Sequence, residues 1–282
     1  MVDKEAILKD CTLPAMPHVG AKILRVVNDP RTSVEELQDT MISDQAITSR
    51  ILMIANSAYY GLRRKVDTLS DALFVLGFEA VKKIAIAVST KDIYNFHGLI
   101  EQKLWEHAIG VSIAAGLVSE KQSAYKVSIE ECIVAGLLHD IGKAVMNRSQ
   151  PERYAMVVET VYEDHIPFCR AEEDLFGFTH QEVGALLFQR WRLPDDLAAI
   201  TGNHHKCHEI DESDRERGFC TVIAFADSLC VRLGVGYREP MPDIVSDNSG
   251  VVEELGLDIG DMEELIGMFK ERYITEKLSF LN

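Results

Sequence analysis

The 282-residue sequence has few cysteines, which can form disulfides, and few prolines and glycines, which interrupt helices. Its six cysteines are scattered and form no Cys-x-x-Cys pair, which argues against a disulfide framework or a zinc ribbon. Proline and glycine are sparse, at 8 and 18 residues, and the apolar residues recur three and four apart more often than two apart. We therefore predict an all-α protein without a sheet.

Positive charge is also scarce. The chain has 29 lysines and arginines against 45 acidic residues, a formal net charge of −16 and a pI near 5.0. Such a surface repels phosphate backbones, so broad binding to nucleic acid or anionic lipid is not expected. The charged first ten residues, and the lack of an apolar run near the length that spans a bilayer, predict no membrane segment. We expect a cytoplasmic location.

The hydrophobic content of 47% is enough to bury a substantial core. Two helix starts are predicted by capping-box patterns, at Ser33-Val-Glu-Glu36 and Thr179-His-Gln-Glu182, and Gly77 predicts a helix end. Residues 89–100 interrupt the helical periodicity, so we place the main internal boundary there, between two lobes in contact. The expected division is an amino-terminal lobe at 12–95, a second lobe at 96–235 and an acidic extension at 236–282.

Several polar residues of metal-ligand type fall on or at the end of apolar predicted helices. A buried imidazole or carboxylate without a partner costs roughly several kcal/mol, and a metal ion is one partner that removes this cost. A single buried histidine is more often an ordinary hydrogen-bonded core residue, so it is the ordered set that indicates metal. The set consists of His107, His139-Asp140, His180, His204-His205 and Asp227.

The two adjacent pairs in this set favour two metal ions. Neighbours on a helix point about 100° apart, so His139 with Asp140 can converge only where a helix ends or where they serve different ions. The same holds for His204 with His205. Imidazoles and carboxylates without a thiolate suit iron, manganese, zinc or nickel. A shared aspartate can hold two ions about 3.5 to 4 Å apart, the spacing that activates water against phosphate esters.

Longer blocks of sequence carry a family resemblance over about residues 12–235. In the second lobe, Gly136-Leu-Leu-His-Asp-Ile-Gly-Lys143 is similar to the HD signature shared with the HD-GYP cyclic-dinucleotide phosphodiesterases. The first lobe resembles the HDOD family, an HD-related output domain of bacterial signalling proteins. The blocks that carry the HDOD resemblance are Leu13-Pro-Ala-Met-Pro17, Ser43 to Leu52, Ala55-Asn-Ser-Ala-Tyr59 and Ala72 to Gly77.

The resemblance implies an HD-domain-like helical bundle with an amino-terminal HDOD lobe packed against it. It implies two divalent or redox-active metal ions, with iron or manganese favoured and zinc or nickel as alternatives. Asp140 and Lys143 are the implied catalytic residues, Lys143 facing the substrate phosphate. In the implied ligand set, His107, His139 and Asp227 hold one ion, His180, His204 and His205 hold the other, and Asp140 bridges them.

Some positions depart from the HD-GYP pattern. The segment after His205 lacks the Gly-Tyr-Pro loop, and Lys103 stands where some HD-GYP proteins carry a glutamate for a third ion, so we expect two ions. Cys207 is expected to be an inert thiol outside the site. Glu172, together with its two acidic neighbours, is expected to form a charged surface.

Three functions are compatible with these features. The leading hypothesis is a signalling or regulatory protein with a dinuclear site that hydrolyses a phosphate-containing small molecule. The second is a non-catalytic interaction module with structural or vestigial metals that docks a signalling partner. The third is an oxygenase of the kind in which an HD fold holds mixed-valent iron, since ligand type alone does not separate that chemistry from hydrolysis.

Overall fold

The structure is a computed structural model of the chain. It describes residues 7, 9–28, 33–42, 44–56, 65–94, 98–211, 215–236, 239–240 and 249–281. All regular structure in these residues is helical, as the sequence predicts. Ser43, residues 57–59 of the third HDOD-like block, and residues 241–248 of the predicted acidic extension lie outside the described residues.

Two helix boundaries of the first lobe lie where the sequence patterns predict them. The Ser33 hydroxyl accepts a hydrogen bond from the Glu36 backbone N–H at the start of α2, and Gly77 closes α4 with φ of 82°. A short 3₁₀ helix, Thr90–Ile93, follows α5 within the predicted boundary. The five described helices are α1 (His18–Asn28), α2 (Val34–Ile42), α3 (Gln45–Ala55), α4 (Leu69–Leu76) and α5 (Phe78–Ser89).

The rest of the described chain forms ten further α-helices and a short 3₁₀ helix, Cys207–Glu209. The predicted capping box is present at Thr179, whose backbone N–H donates to the Glu182 carboxylate. The helices are α6 (Leu99–Lys121), α7 (Ile129–Leu138), α8 (Ile141–Ser149), α9 (Pro151–Asp164), α10 (Phe168–Phe176), α11 (His180–Trp191), α12 (Asp195–Asn203), α13 (Arg215–Leu233), α14 (Ser249–Glu254) and α15 (Ile259–Leu281).

Helix α6 lies at the centre of the second lobe. It packs against α7, α13 and α15, and almost every side chain from Leu104 to Ser119 is buried. A helix apolar on all sides belongs in a core. The lobes meet where α5 packs against α7, and α15 covers α6 with Leu265 and Phe269 buried. The proposed division into three parts remains a prediction, because one cluster of buried residues extends through all of them.

Two glycines of the Gly136–Lys143 motif allow close helix packing. A Cβ on Gly136 would lie 2.8 Å from the Ser112 Cα, so α7 crosses α6 at this position. A Cβ on Gly142 would collide with the backbone carbonyl of His180, where α8 meets α11. Because glycine has no Cβ, the segments that carry the predicted metal ligands can pack in direct contact at these positions.

Among the described residues, none of the helices is both long and apolar enough to cross a membrane.

Candidate metal centre

One part of the centre lies between α6 and α13. His107 on α6 and Asp227 on α13 face each other, with His107 Nε2 2.9 Å from Asp227 Oδ1. Both residues are buried. The ring nitrogen on the other side, Nδ1, lies 3.0 Å from the carbonyl oxygen of Val235.

The second part is the break between α7 and α8. Helix α7 ends at Leu138, and Asp140 has φ of −102° and ψ of 13°, outside regular helical geometry, before α8 begins. This break lets His139 and Asp140 point to one region although they are adjacent in sequence. Their side chains are buried, with His139 Nε2 3.3 Å from Asp140 Oδ2.

The third part comes from α11 and from the end of α12. His180 is the first residue of α11, and His204 caps α12. Their Nε2 atoms are 3.4 Å apart, and both rings are fully buried. His205 is the next residue, its side chain is 32% exposed, and its Nδ1 lies 3.8 Å from Asp227 Oδ2. All seven predicted ligands are therefore brought to one place.

The buried histidines share one hydrogen-bonding pattern. In each, Nδ1 faces a backbone carbonyl or a carboxylate, groups that only accept, so Nδ1 must carry the proton. In the neutral ring, Nε2 then has a lone pair directed into the centre, the arrangement typical of metal-ligating histidines. The Nδ1 contacts are His107 with Val235 O at 3.0 Å, His139 with Gly136 O at 2.8 Å, His180 with Glu172 Oε2 at 2.6 Å and His204 with Thr201 O at 2.8 Å.

Asp140 lies between two groups of these nitrogens. Its Oδ1 is 3.2 Å from His180 Nε2 and 3.6 Å from His204 Nε2. Its Oδ2 is 3.3 Å from His139 Nε2 and 3.7 Å from His107 Nε2. Among the described buried atoms, Asp140 Oδ1 and His139 Nε2 lack any hydrogen-bond partner.

These unpartnered atoms show that the donor set fits a cation. His107 Nε2 and Asp227 Oδ1 lie 2.9 Å apart, and either a proton or a metal ion between them satisfies both atoms. Two groups of potential ligands have atoms within 4.8 Å of one another. They are Asp140 with His180, His204 and His205, and His107 with His139 and Asp227.

The electrostatics favour ionised carboxylates in the centre. Burial alone would raise the pKa of Asp140, but His139, Lys143 and His180 hold it well below its usual range. Burial would likewise raise the pKa of Asp227, and the contact with His107 lowers it instead. Burial, together with the neighbouring imidazoles, lowers the pKa of His204 to about 4, so this ring is neutral at physiological pH and able to bind a metal.

Glu172 corrects one of the sequence predictions. It is fully buried instead of forming a charged surface, and its Oε2 accepts hydrogen bonds from both the backbone N–H and the Nδ1–H of His180. Burial would lower the pKa of His180, but the Glu172 carboxylate contributes to raising it to about 9. The available sequence signal was the spacing of Phe168, Glu172 and Phe176, which places this carboxylate on the apolar face of α10.

Lys143 is buried, and its Nζ lies 2.7 Å from Asp140 Oδ2 and 4.4 Å from the centre of the Phe168 ring. A cleft of about 50 Å³ leads to His107, Asp140 and Lys143 between mainly apolar walls from α6, α9 and α10. Lys103 also lines this cleft and pairs with Glu106 at 3.0 Å. The expectation that Lys143 faces a substrate phosphate stays a prediction.

A second cavity, of about 320 Å³, opens at His204 and His205. His208 and Cys207 line it together with residues of α13 and α14. Cys207 is buried, and burial raises the pKa of its thiol, so the thiolate that binds metal is disfavoured.

Comparison with known proteins identifies the family. The HDOD domain matches residues 13–207. The chain belongs to the HDOD family. A crystal structure of an HDOD domain protein of unknown function from Geobacter sulfurreducens superposes with a TM-score of 0.73 at 26% identity, covering 98% of this chain and 95% of that one.

Two other similar proteins extend this comparison. A Shewanella amazonensis protein provisionally named a metal-dependent phosphohydrolase shares the fold, with a TM-score of 0.70, 19% identity and coverage of 98% and 95%. An uncharacterized protein from Treponema pallidum is 24% identical over 216 residues, 76% of this chain. The chain spans only 41% of that protein's length.

Proposed function

We propose that this HDOD protein is a signalling or regulatory protein that holds two metal ions and hydrolyses a phosphate ester. The observation that carries the proposal is the position of Asp140. Each of its two carboxylate oxygens faces a different group of imidazole nitrogens, at 3.2 and 3.6 Å on one side and 3.3 and 3.7 Å on the other. A carboxylate placed in this way is suited to bridging two ions.

Under this proposal the ligands divide as the sequence resemblance implies. His107, His139 and Asp227 hold one ion; His180, His204 and His205 hold the other. Two such ions neutralise charge on a phosphoryl group and make a deprotonated water available near neutral pH. Iron or manganese is favoured, with zinc or nickel as alternatives, because the donors are imidazoles and carboxylates.

The side chains around the ions have separate roles in the proposal. Glu172 fixes the His180 ring by accepting its Nδ1–H, and the backbone carbonyls do the same for the other buried rings. The partly exposed His205 marks the side of the centre open to the larger cavity. Lys143 supplies the positive charge beside Asp140 that a substrate phosphate would meet.

The first test is elemental analysis of chain purified without chelator or histidine tag. The wild type is expected to carry about two equivalents of metal, and Asp140→Ala to lose most of both, because the bridge belongs to both ions. Asp174→Ala, at an exposed position of α10, is the matched control and keeps the wild-type content. A folded Asp140→Ala protein, checked by circular dichroism, with unchanged metal content would refute the site.

Activity is tested on the same three proteins with bis(p-nitrophenyl) phosphate and with cyclic dinucleotides. We expect hydrolysis by wild type and by Asp174→Ala, and its loss in Asp140→Ala. Metal-loaded wild type that hydrolyses none of a broad set of phosphate esters contradicts the catalytic part of the proposal and leaves the metal site standing.

Two observations favour the alternative, a non-catalytic interaction module. The cleft of about 50 Å³ beside Asp140 and Lys143 is small for a phosphate ester. On the first lobe, Phe74 is 92% exposed, and aromatic residues are enriched at the centres of protein–protein interfaces. Partner capture that is lost in Phe74→Ala and retained in Asp140→Ala would favour this alternative.

A further inference from the structure

A separate cavity of about 380 Å³ lies where the two lobes meet. Helices α1 and α5 of the first lobe form one wall, and α7, α12 and the turn before α12 form the other. The walls are largely aliphatic, with Leu24 and Ile86 on one side and Leu138 and Leu197 on the other. None of these residues belongs to the metal centre.

The cavity gathers positive charge in an acidic protein. Lys82, Lys83 and Arg192 line it, and Asp195 is the single carboxylate among its described lining residues. The chain as a whole carries a formal charge of −16. Lys83 pairs with Glu131, which also accepts a hydrogen bond from Arg215 of α13, and Arg215 in turn lies 3.8 Å from Asp196. Three basic groups against one carboxylate make the described lining more positive than the chain as a whole.

The backbone fixes Arg192 at the edge of this cavity. It caps α11 in the left-handed region, with φ of 56° and ψ of 39°, which residues other than glycine rarely adopt. Its N–H donates to the carbonyls of Gln189 and Phe188, and the flanking Trp191 and Leu193 are buried. Residues held in such conformations cluster at binding and catalytic sites.

We propose that this cavity binds a small molecule with one oxyanion group and an aliphatic body. The guanidinium of Arg192 and the lysine ammonium groups suit a carboxylate or a phosphate. The Leu, Ile and Val walls suit a saturated chain. No aromatic side chain is among the described lining residues, so a nucleobase would have no ring to stack on. A volume near 380 Å³ falls within the range of small-molecule sites.

The occupant contacts both lobes. It lies against α5 of the first lobe and against Leu138 of α7, the residue directly before His139. The ligand therefore stabilises the lobe interface, and its binding raises the melting temperature as its concentration rises.

The test is isothermal titration calorimetry of the full chain with octyl phosphate and with octanoate, both below their micelle concentrations. We expect saturable binding of at least one, and the better ligand identifies the head group. Arg192→Gln and Lys82→Gln should each weaken binding about tenfold, because each removes a charged hydrogen-bond donor. Arg190→Gln, an exposed position on the same helix outside the cavity, is the matched control and binds as wild type.

Three results would overturn the proposal. They are no binding of either oxyanion, equal affinity for neutral 1-octanol, and equal affinity in the two cavity variants and the control. The titration is repeated with folded Asp140→Ala, in which binding should persist. Loss of binding there would assign the anion to the metal centre instead of the cavity.

Discussion

A single buried glutamate decides how firmly one histidine is held in the centre. Glu172 Oε2 accepts from His180 Nδ1 at 2.6 Å and from its backbone N–H at 2.8 Å, and Oε1 accepts from the Tyr154 hydroxyl at 3.2 Å. A carboxylate behind a histidine orients the ring and raises its basicity as a ligand. Glu172 thus acts on the proposed metal ion through His180.

We expect Glu172→Gln to weaken metal binding by about 10- to 100-fold while the helices stay folded. Glutamine keeps the shape but loses the charge that stabilises the Nδ1–H tautomer. Affinity is measured by competition with a chelator of known strength. The matched control is Glu173→Gln, which alters the exposed neighbour on α10. Equal affinities in the two variants would show that Glu172 serves the fold alone.

At this scale the sequence predicted the proposed ligands but not the groups that orient them. His139 and Asp140 stand out because a polar pair follows an apolar helix, and the family resemblance arranges the rest. Glu172 was misassigned because it lies in a run of three acidic residues of which only it is buried. Three of the histidines donate to backbone carbonyls, and every residue type has a backbone carbonyl. The sequence therefore does not show which carbonyls serve as partners.

At the scale of elements, α14 is fastened to α13 through one carboxylate. Glu254 accepts hydrogen bonds from Arg217 Nε at 2.7 Å, Arg217 Nη2 at 2.6 Å and Thr221 Oγ1 at 2.9 Å, and also from the Tyr125 hydroxyl. The Arg217 contact is the main reason that the pKa of Glu254 falls to about 2 from its usual 4.5. The ionised form is therefore the one that the fold prefers.

This shift makes the attachment of α14 dependent on pH. Because the folded pKa is lowered, the contribution to stability is complete above about pH 4.5 and is lost as the pH falls towards 2. The difference in free energy of unfolding between wild type and Glu254→Gln should therefore shrink over this interval. Urea titrations at several pH values measure it, with Glu253→Gln as the exposed control. A difference independent of pH would contradict the assignment.

Helix boundaries were predictable where local chemistry sets them. The capping box at Thr179 and the glycine at Gly77 are short-range signals, and both mark helix ends in the structure. The crossing of α7 on α6 was not predictable, because it depends on Ser112 lying next to Gly136, 24 positions away in sequence. The motif glycines were visible in the sequence, but their packing partners were not.

At the scale of the whole molecule, the proposed ions would connect elements that are distant in sequence. The ligands come from α6, from the α7–α8 junction, from α11, from the end of α12 and from α13. These elements meet in the folded chain and separate in the unfolded one. A ligand that binds only the folded state stabilises it in proportion to the logarithm of its free concentration.

Removal of metal should therefore lower the melting temperature. A free metal concentration 100 times the dissociation constant contributes about 2.7 kcal/mol, which corresponds to roughly 5–10 °C for a chain of this size. Differential scanning calorimetry with and without a chelator measures the shift. Asp140→Ala should melt at the same temperature in both conditions. A wild type that is shown to lose its metal without any change in melting temperature would contradict a role of the ions in holding these helices.

The order of the ligands along the chain has a consequence for the newly made protein. A ribosome releases His107, His139 and Asp140 early, whereas Asp227 follows only with α13, the helix that packs on α6. Until then the early histidines lack the carboxylate that faces them across the core. Capture of the ion assigned to His107, His139 and Asp227 would therefore come late, after α13 has been synthesised and has packed on α6.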